Sequence, residues 1–332
     1  MQQPHPQTLR RQLHRKMTFL GIVLAPFYFL LFLLSRFLRL LGLETWWVKK
    51  AMKGAIKDAE HRMHKGFQDY QPTKNDVFIC SYPKSGTNWG MQIAYQIANH
   101  GKGEYEHIHD VVAWPDATKD GVAVPLNHEM ALASLTGYRV IKTHAEAQYV
   151  PYSPEAKYVC IVRDPKDVAV SGYYFFRDVE LGFLIPSIKA WVELLMSDTS
   201  LNWASFTHGY WLWRNRPNVL FLTFEEMKVD LNKTIQQIVD LMGITLSAEE
   251  LEKITYLSSY QYMKTIDHKF YPGKIAPLAS PKGSMIRGGK KDSSGELINK
   301  KQQADIDDHS KKSLLKLGSD FPYDKYYLKS SN

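Results

Sequence analysis

Cysteine is almost absent from this 332-residue chain, which has two, Cys80 and Cys160. Two cysteines make no disulfide framework, so a chain of this length relies on a buried apolar core. Each thiol reads as a small buried group, unless neighbouring strands bring the pair together. No internal repeat is present, which excludes solenoids and propellers. No cluster of cysteine and histidine has zinc spacing. Acidic residues are in deficit, leaving a formal net charge of +8. Such a balance suits an anionic lipid or cofactor, and no nucleic-acid motif accompanies it. Much of the excess lies in the N-terminal arm and in residues 282–301, the latter reading equally as a solvated loop. Also missing is the upstream glycine of the Mg-nucleotide loop G-x-x-x-x-G-K-[ST], because Val77, Phe78, Ile79 and Cys80 stand where it would open. A phosphoryl-transferring kinase is therefore a poor reading.

What is present is a short apolar run, Val77–Cys80, followed by Ser81-Tyr82-Pro83-Lys84-Ser85-Gly86-Thr87-Asn88-Trp89 and then an apolar-periodic stretch, Gln92–Ala98. The order predicts strand, tight turn, helix. A helix start leaves backbone N–H groups unpaired, and with the helix dipole they make an anion site. Lys84 adds a positive charge there. Ser85, Thr87 and Asn88 add short side chains suited to capping the helix and bonding oxygens.

A second buried-strand run, Tyr158–Val162, ends in Arg163-Asp164-Pro165-Lys166-Asp167-Val168-Ala169-Val170-Ser171. Arg163 falls at the strand end, and Ser171 lies about two turns into the following helix. A guanidinium fork with a hydroxyl suits a second anion. Two anion sites at two strand ends point to a ligand phosphorylated at both ends.

These segments resemble the sulfotransferase superfamily, most nearly its cytosolic small-acceptor type. That family carries Y-P-K-S-G-T-x-W and R-x-P-K-D-x-x-V-S, and both stand here nearly letter for letter. The resemblance runs from about Val77 to Asp307. It implies the donor 3′-phosphoadenosine 5′-phosphosulfate (PAPS), no metal, and sulfuryl transfer to a hydroxyl or amine. Tyr138–His144 alternates like a strand and ends in Lys142-Thr143-His144, similar to the family's K-T-H. His144 is thereby the implied general base, in keeping with an imidazole pKa near working pH. Lys84 is the implied stabiliser of the departing phosphate, a charge that counts most in the transition state. Lys142 matches an assisting family lysine, or is a strand-end lysine in solvent. His107, His109, His128 and His208 have no such context.

The resemblance also implies donor contacts from Lys84, Ser85, Gly86, Thr87, Asn88, Trp89, Arg163 and Ser171. Ser258, Tyr260 and Met263 match the family's nucleoside segment, although an aromatic with methionine three residues on is also plain helix core. Arg287, Gly288 and Gly289 stand at R-K-G, with Gly288 in place of lysine. Beyond it, Asp292, Ser294 and Gly295 replace the usual Gly, Trp and Lys. In the run Trp203–Trp211 the family's adenine-side tyrosine is missing. The aromatics there read as helix core, with Trp203 or Phe206 the alternative stacking face. Asn218–Met227 fits the family's late strand and helix, a matter of fold rather than chemistry.

The expected fold is α/β: a single P-loop-like domain whose central parallel sheet has helices on both faces, plus an N-terminal transmembrane or membrane-associated helix. Met17–Leu34 is uncharged and long enough to span a bilayer; Arg10, Arg11, Arg15 and Lys16 precede it, and Trp46 and Trp47 follow. The expected division is a basic arm over 1–16, a membrane anchor over 17–41, a helical stalk or membrane-surface linker over 42–73, and the sulfotransferase domain over 74–328. Basic residues flank the span on both sides, so charge assigns no sidedness to it. Asn232-Lys233-Thr234 is a glycosylation triplet of the kind that arises by chance. Apolar loops at Val111–Pro115, after His144 and at Phe175–Leu184 suit a lipid-like, steroid-like or phenolic acceptor. The second reading is a catalytically weak, membrane-associated nucleotide-binding scaffold, motivated by the altered Arg287–Gly295 segment. No oligomeric state follows from the sequence.

Overall fold

The computed structural model describes residues 6–117, 119–197, 202–271, 283–288 and 293–328. Four short strands form one sheet: β1 (Asp76–Ser81), β2 (Arg139–Thr143), β3 (Lys157–Val162) and β4 (Val219–Thr223). Their order is β2-β1-β3-β4, and all three pairings are parallel. Each strand lies where an apolar run predicts one.

Side-chain alternation divides the core in two. Phe78, Cys80, Ile141, Tyr158 and Cys160 face one side. There they meet α8 (Trp203–Trp211) through Phe206 and Tyr210, and α13 (Lys300–Lys316) through Leu314. Val77, Ile79, Val140, Val159 and Ile161 face the other side. They pack on α4 (Thr87–Ala98), α10 (Leu231–Met242) and α11 (Ala248–Leu257). The sheet is thus covered on both faces, as its continuous hydrophobic strands require. Cys80 and Cys160 are register partners across β1 and β3, and both are buried free thiols. The Asn232–Thr234 triplet sits in α10, where Thr234 is buried and its hydroxyl donates to the Asp230 carbonyl.

The N-terminal region departs from expectation. The apolar run is not one helix. α1 (Pro6–Val23) ends before Leu24, and α2 (Ala25–Leu40) starts at an angle of 63° to it. Pro26 explains the break, since it has no N–H to give and its ring crowds the carbonyl of Ile22. Among the described residues no single helix is long and apolar enough to cross a membrane. The α1–α2 pair meets that test only jointly, by length and composition.

Nor does α3 (Glu44–Lys65) stand away from the sheet as a stalk. Glu44 is buried; it accepts from Arg39 Nε at 2.9 Å and from Ser187 N–H and Oγ at 2.9 and 2.6 Å. Thr45 Oγ1 donates to Glu193 of α7 (Ile188–Leu195). Val48 and Met63 are buried at either end of α3. Its amphipathic period thus serves packing against the domain. α1 docks as well, through an ion pair between Arg10 and the buried Asp110.

Candidate active site

All four strands point their carboxyl ends at one cavity of about 620 Å³, the position open α/β sheets reserve for ligands. After β1 the chain turns through Lys84 at φ 68° and Gly86 at φ 100° into α4. Ser85 N–H closes the turn on the Tyr82 carbonyl at 3.1 Å. Gly86 is tight as well as left-handed: a Cβ there would lie 2.8 Å from Cδ2 of Phe224. The expected side-chain cap is not formed, because Gly86 itself occupies the capping position. The Thr87 hydroxyl instead pairs with Ser81 Oγ at 2.7 Å, back under the loop. Ser85 Oγ is buried with no partner, a feature that suits an incoming oxyanion.

After β3, Arg163 is buried beside this loop. Its Nη1 donates to the Lys84 carbonyl at 3.3 Å and its Nη2 to Asp167 at 3.1 Å, in α6 (Pro165–Phe175). Its Nε is buried and unpaired. Ser171, two turns into α6, lines the same cavity. The two anion loops therefore share one space, and three buried orphan groups (Ser85 Oγ, Arg163 Nε and Ser258 Oγ) lie in them or beside them. That pattern fits a nucleotide with charge at both ends.

After β2 comes His144. Its Nδ1–H donates to the Ser81 carbonyl at 2.6 Å, which fixes the tautomer and leaves Nε2 as the acceptor. The pKa of His144 is held well below the usual imidazole value, by burial first and by the charge of Lys142 second. The ring is thus neutral at pH 7, as a base must be. Asp116 anchors the backbone here by accepting His144 N–H at 2.8 Å, and burial pushes its carboxyl up to about 6.

Lys142 is 6 % exposed, so it is not a strand-end lysine in solvent. Its Nζ lies 3.2 Å from the centroid of the Trp114 ring, a cation–π contact. Burial lowers its pKa to about 7, opposed by Asp116. Burial also lowers Lys84 to about 8, and the nearby charge of Arg163 adds to this. Both shifts arise first from burial, and an anion brought beside these groups would oppose them.

Of the residues expected to flank a nucleoside, Tyr260 and Met263 fall in α12 (Tyr260–Thr265), and Arg287 and Gly288 in the segment 283–288. Trp89 Nε1–H donates to the Ser258 carbonyl at 2.7 Å, tying the start of α4 to the end of α11. Met263 is buried and also lines the cavity; Tyr260 lines it while 41 % exposed, so it is not helix core. Arg287 and Gly288 reach the cavity. Arg287 stacks over Tyr174 and pairs with Glu296 at 2.5 Å. Gly289 and Asp292 lie outside the described residues. Ser294, at the altered position, gives its N–H to Asp167 at 3.0 Å, the carboxylate that also braces Arg163.

Trp203 and Phe206 stay in the core. Trp203 Nε1–H donates to the Arg163 carbonyl at 2.9 Å, and Phe206 packs edge-on against Tyr82. The aromatic that sequence reasoning missed is Phe224, at the start of α9 (Phe224–Val229) directly after β4. It lines the cavity, meets Trp89 edge-on at 5.7 Å and lies 4.3 Å under the Arg163 guanidinium. Its position after a strand was the available signal. Of the apolar loops expected around the acceptor, Trp114, Phe175 and Phe176 line the cavity, but nothing from the segment following His144 does. Much of the remaining wall comes from α3, through Met52, Ala55, Ile56, Asp58, Ala59 and Met63, and Lys119, Val122, Glu180 and Lys228 add to it.

The family model for the sulfotransferase domain matches residues 74–318. Human sulfotransferase 2A1 is 32% identical over 241 residues, 71% of this chain and 82% of that protein. The Macaca fascicularis sulfotransferase 2A1 is 34% identical over 219 residues, 64% of this chain and 75% of the relative. Among solved structures, retinol dehydratase in complex with androsterone and the inactive cofactor PAP aligns with a TM-score of 0.63 at 20% identity, covering 77% of this chain and 85% of that one. Mouse sulfotransferase SULT7A1 complexed with PAP aligns with a TM-score of 0.58 at 24% identity, covering 78% and 90%. These structural likenesses carry the fold, and the family match with the curated relatives carries the membership: this chain belongs to the sulfotransferase family.

Proposed function

We propose that His144 is the general base for sulfuryl transfer to a hydroxyl (or amine) of a hydrophobic, small or lipid-like acceptor. As a sulfotransferase, the chain moves a sulfuryl group from PAPS to a small-molecule acceptor. The observation that carries the finer reading is the His144 ring itself, neutral and with Nε2 left free by the Ser81 bond, in the cavity that both anion loops share. Nε2 takes the proton of the acceptor hydroxyl as the new S–O bond forms. The bond from sulfur to the donor's bridging oxygen breaks, and adenosine 3′,5′-bisphosphate leaves with a sulfate ester as the other product. Lys84, with Lys142 beside it, meets the negative charge that grows on the bridging oxygen. Ser85, Gly86, Thr87, Asn88 and Trp89 hold the 5′ end of the donor. Arg163 and Ser171 hold its 3′-phosphate, while Ser258, Tyr260, Met263, Arg287 and Gly288 flank the nucleoside. Phe224 joins them as an aromatic face.

An apolar acceptor is favoured by the α3 wall and by Trp114, Phe175 and Phe176. The α1–α2 pair serves as a membrane-associated element over 17–41. Its outward Phe19, Ile22, Phe27, Phe29, Leu30 and Phe37 are each more than half exposed, next to a basic arm over 1–16. The catalytic unit is 74–328, with α3, inside the 42–73 linker, as its added wall.

The His144→Ala variant is expected to lose transfer while still binding adenosine 3′,5′-bisphosphate in a calorimetric titration. Turnover near that of the parent protein overturns the assignment. Nucleotide binding by the parent without transfer to any hydrophobic alcohol or phenol is the mark of the scaffold reading. For the membrane element, flotation with anionic vesicles is expected for the full chain and lost on Phe29→Ser/Phe37→Ser; flotation unchanged by those substitutions argues against it.

A further inference from the structure

Two buried polar atoms at the acceptor end of the cavity have no partner and no part in the transfer described above. Asp116 is 3 % exposed; Oδ2 holds His144 N–H and the carboxylate also feels the Thr143 side chain and the charge of Lys142, while Oδ1 is buried with no hydrogen-bond partner. Two residues earlier, Trp114 Nε1–H is likewise buried and unpaired. Both residues line the cavity. Both also adjoin the base, Asp116 through its backbone bond and Trp114 through an edge-on ring contact at 5.6 Å. An ionised carboxylate only accepts, and an indole N–H only donates. Buried atoms of this kind are seldom left unmatched, because each forfeits the bonds it had in water. One group serves both at once: a hydroxyl, which donates and accepts.

We propose that Asp116 and Trp114 form a second polar subsite for the acceptor, which holds a hydroxyl adjacent to the one that is sulfated. The preferred acceptor class is then an apolar molecule with a 1,2- or 1,3-diol head. This rests on the transfer reading above. The reacting hydroxyl gives its proton to His144 Nε2 and gains the sulfuryl group. Its neighbour donates to Asp116 Oδ1, accepts from Trp114 Nε1–H, and leaves unchanged, so the product is a monosulfate ester. Met52, Ile56 and Met63 of α3 take the hydrocarbon.

A matched pair of acceptors, 1-octanol and 1,2-octanediol, tests this in the full chain. The diol is expected to bind the complex with adenosine 3′,5′-bisphosphate more tightly, and to be sulfated with a kcat/KM roughly tenfold or more above that of octanol, because a site with unmatched polar groups rejects the analogue that lacks the hydroxyl. Trp114→Phe keeps a ring under Lys142 but removes the N–H. It should cut the diol preference about fivefold or more while octanol sulfation falls less; Asp116→Asn should reduce the same ratio. Nucleotide titration of each variant reports an intact fold. Equal kcat/KM for the two alcohols in the parent chain, or an unchanged ratio in both variants, overturns the subsite and leaves the transfer reading standing. No transfer to either alcohol, with nucleotide bound, overturns both.

Discussion

Adding one methyl group at Gly86 should damage donor binding more than stability alone explains. Two costs are separable here. Gly86 has φ +100°, and a residue with a Cβ is strained there by about 1–2 kcal/mol. The new Cβ would also lie 2.8 Å from Cδ2 and 3.3 Å from Cε2 of Phe224. Crowding of that kind typically adds about 1–3 kcal/mol. Gly243 supplies the control, because its φ is +65° but nothing lies within 4 Å of a Cβ built on it. Gly243→Ala should therefore cost about 1–2 kcal/mol, and Gly86→Ala about 2–5 kcal/mol. The Phe224 ring is held between Trp89 at 5.7 Å and the Arg163 guanidinium at 4.3 Å, and its open side is the cavity, so a retreat breaks those contacts and intrudes on the ligand space. Moving it disturbs Arg163, the proposed holder of the 3′-phosphate. A tenfold loss of affinity is about 1.4 kcal/mol. Affinity of Gly86→Ala for adenosine 3′,5′-bisphosphate should fall roughly 10- to 100-fold by calorimetry, and that of Gly243→Ala should stay at the parent value. Urea unfolding gives the stability half of the comparison. The reasoning fails if the two variants are equally destabilised and both bind the nucleotide like the parent chain.

Other consequences are simpler. Arg163→Ala should weaken adenosine 3′,5′-bisphosphate by about 100-fold and adenosine 5′-phosphate by only a few-fold, since a charge-assisted fork is lost for the first ligand alone; equal losses would count against a 3′-phosphate clamp. The Lys84 ammonium, brought down to about 8 by burial and Arg163, is present below that pH and lost above it. For the donor-free enzyme, kcat/KM for PAPS should therefore decline as pH rises through about 8. In Lys84→Arg, which stays charged, this group should no longer contribute to the decline. A parent profile level up to pH 10 would refute the assignment.

How much of this was legible beforehand follows physical lines. Strands and turns are local, so Val77–Cys80, Tyr158–Val162 and the loops after them announced β1, β3 and the turns that lead into the next helices. A motif match carried Lys84, His144 and Arg163 to strand ends, and the sheet brings those ends together. Phe224 was passed over because an aromatic after a strand looks the same whether it fills a core or faces a ligand. The uncharged stretch over 17–34 suggested one span because composition ignores a proline, and Pro26 bends it. The residues over 42–73 suggested a stalk or a membrane-surface linker, because a helical period does not name the surface it will cover.

Alone, the order of residues determined the α/β class, the two candidate oxyanion loops and the choice of His144 as candidate base, since each depends on residues close to one strand end. Only tertiary structure decided which pKa values move, that α3 lines the cavity, and that Asp116 and Phe224 reach it. Those outcomes depend on burial and on groups far apart in the chain. Arg139, for instance, closes its ion pair with Asp76 across 63 residues. Such pairings have no local signature, because they exist only once the sheet has brought the two sides together.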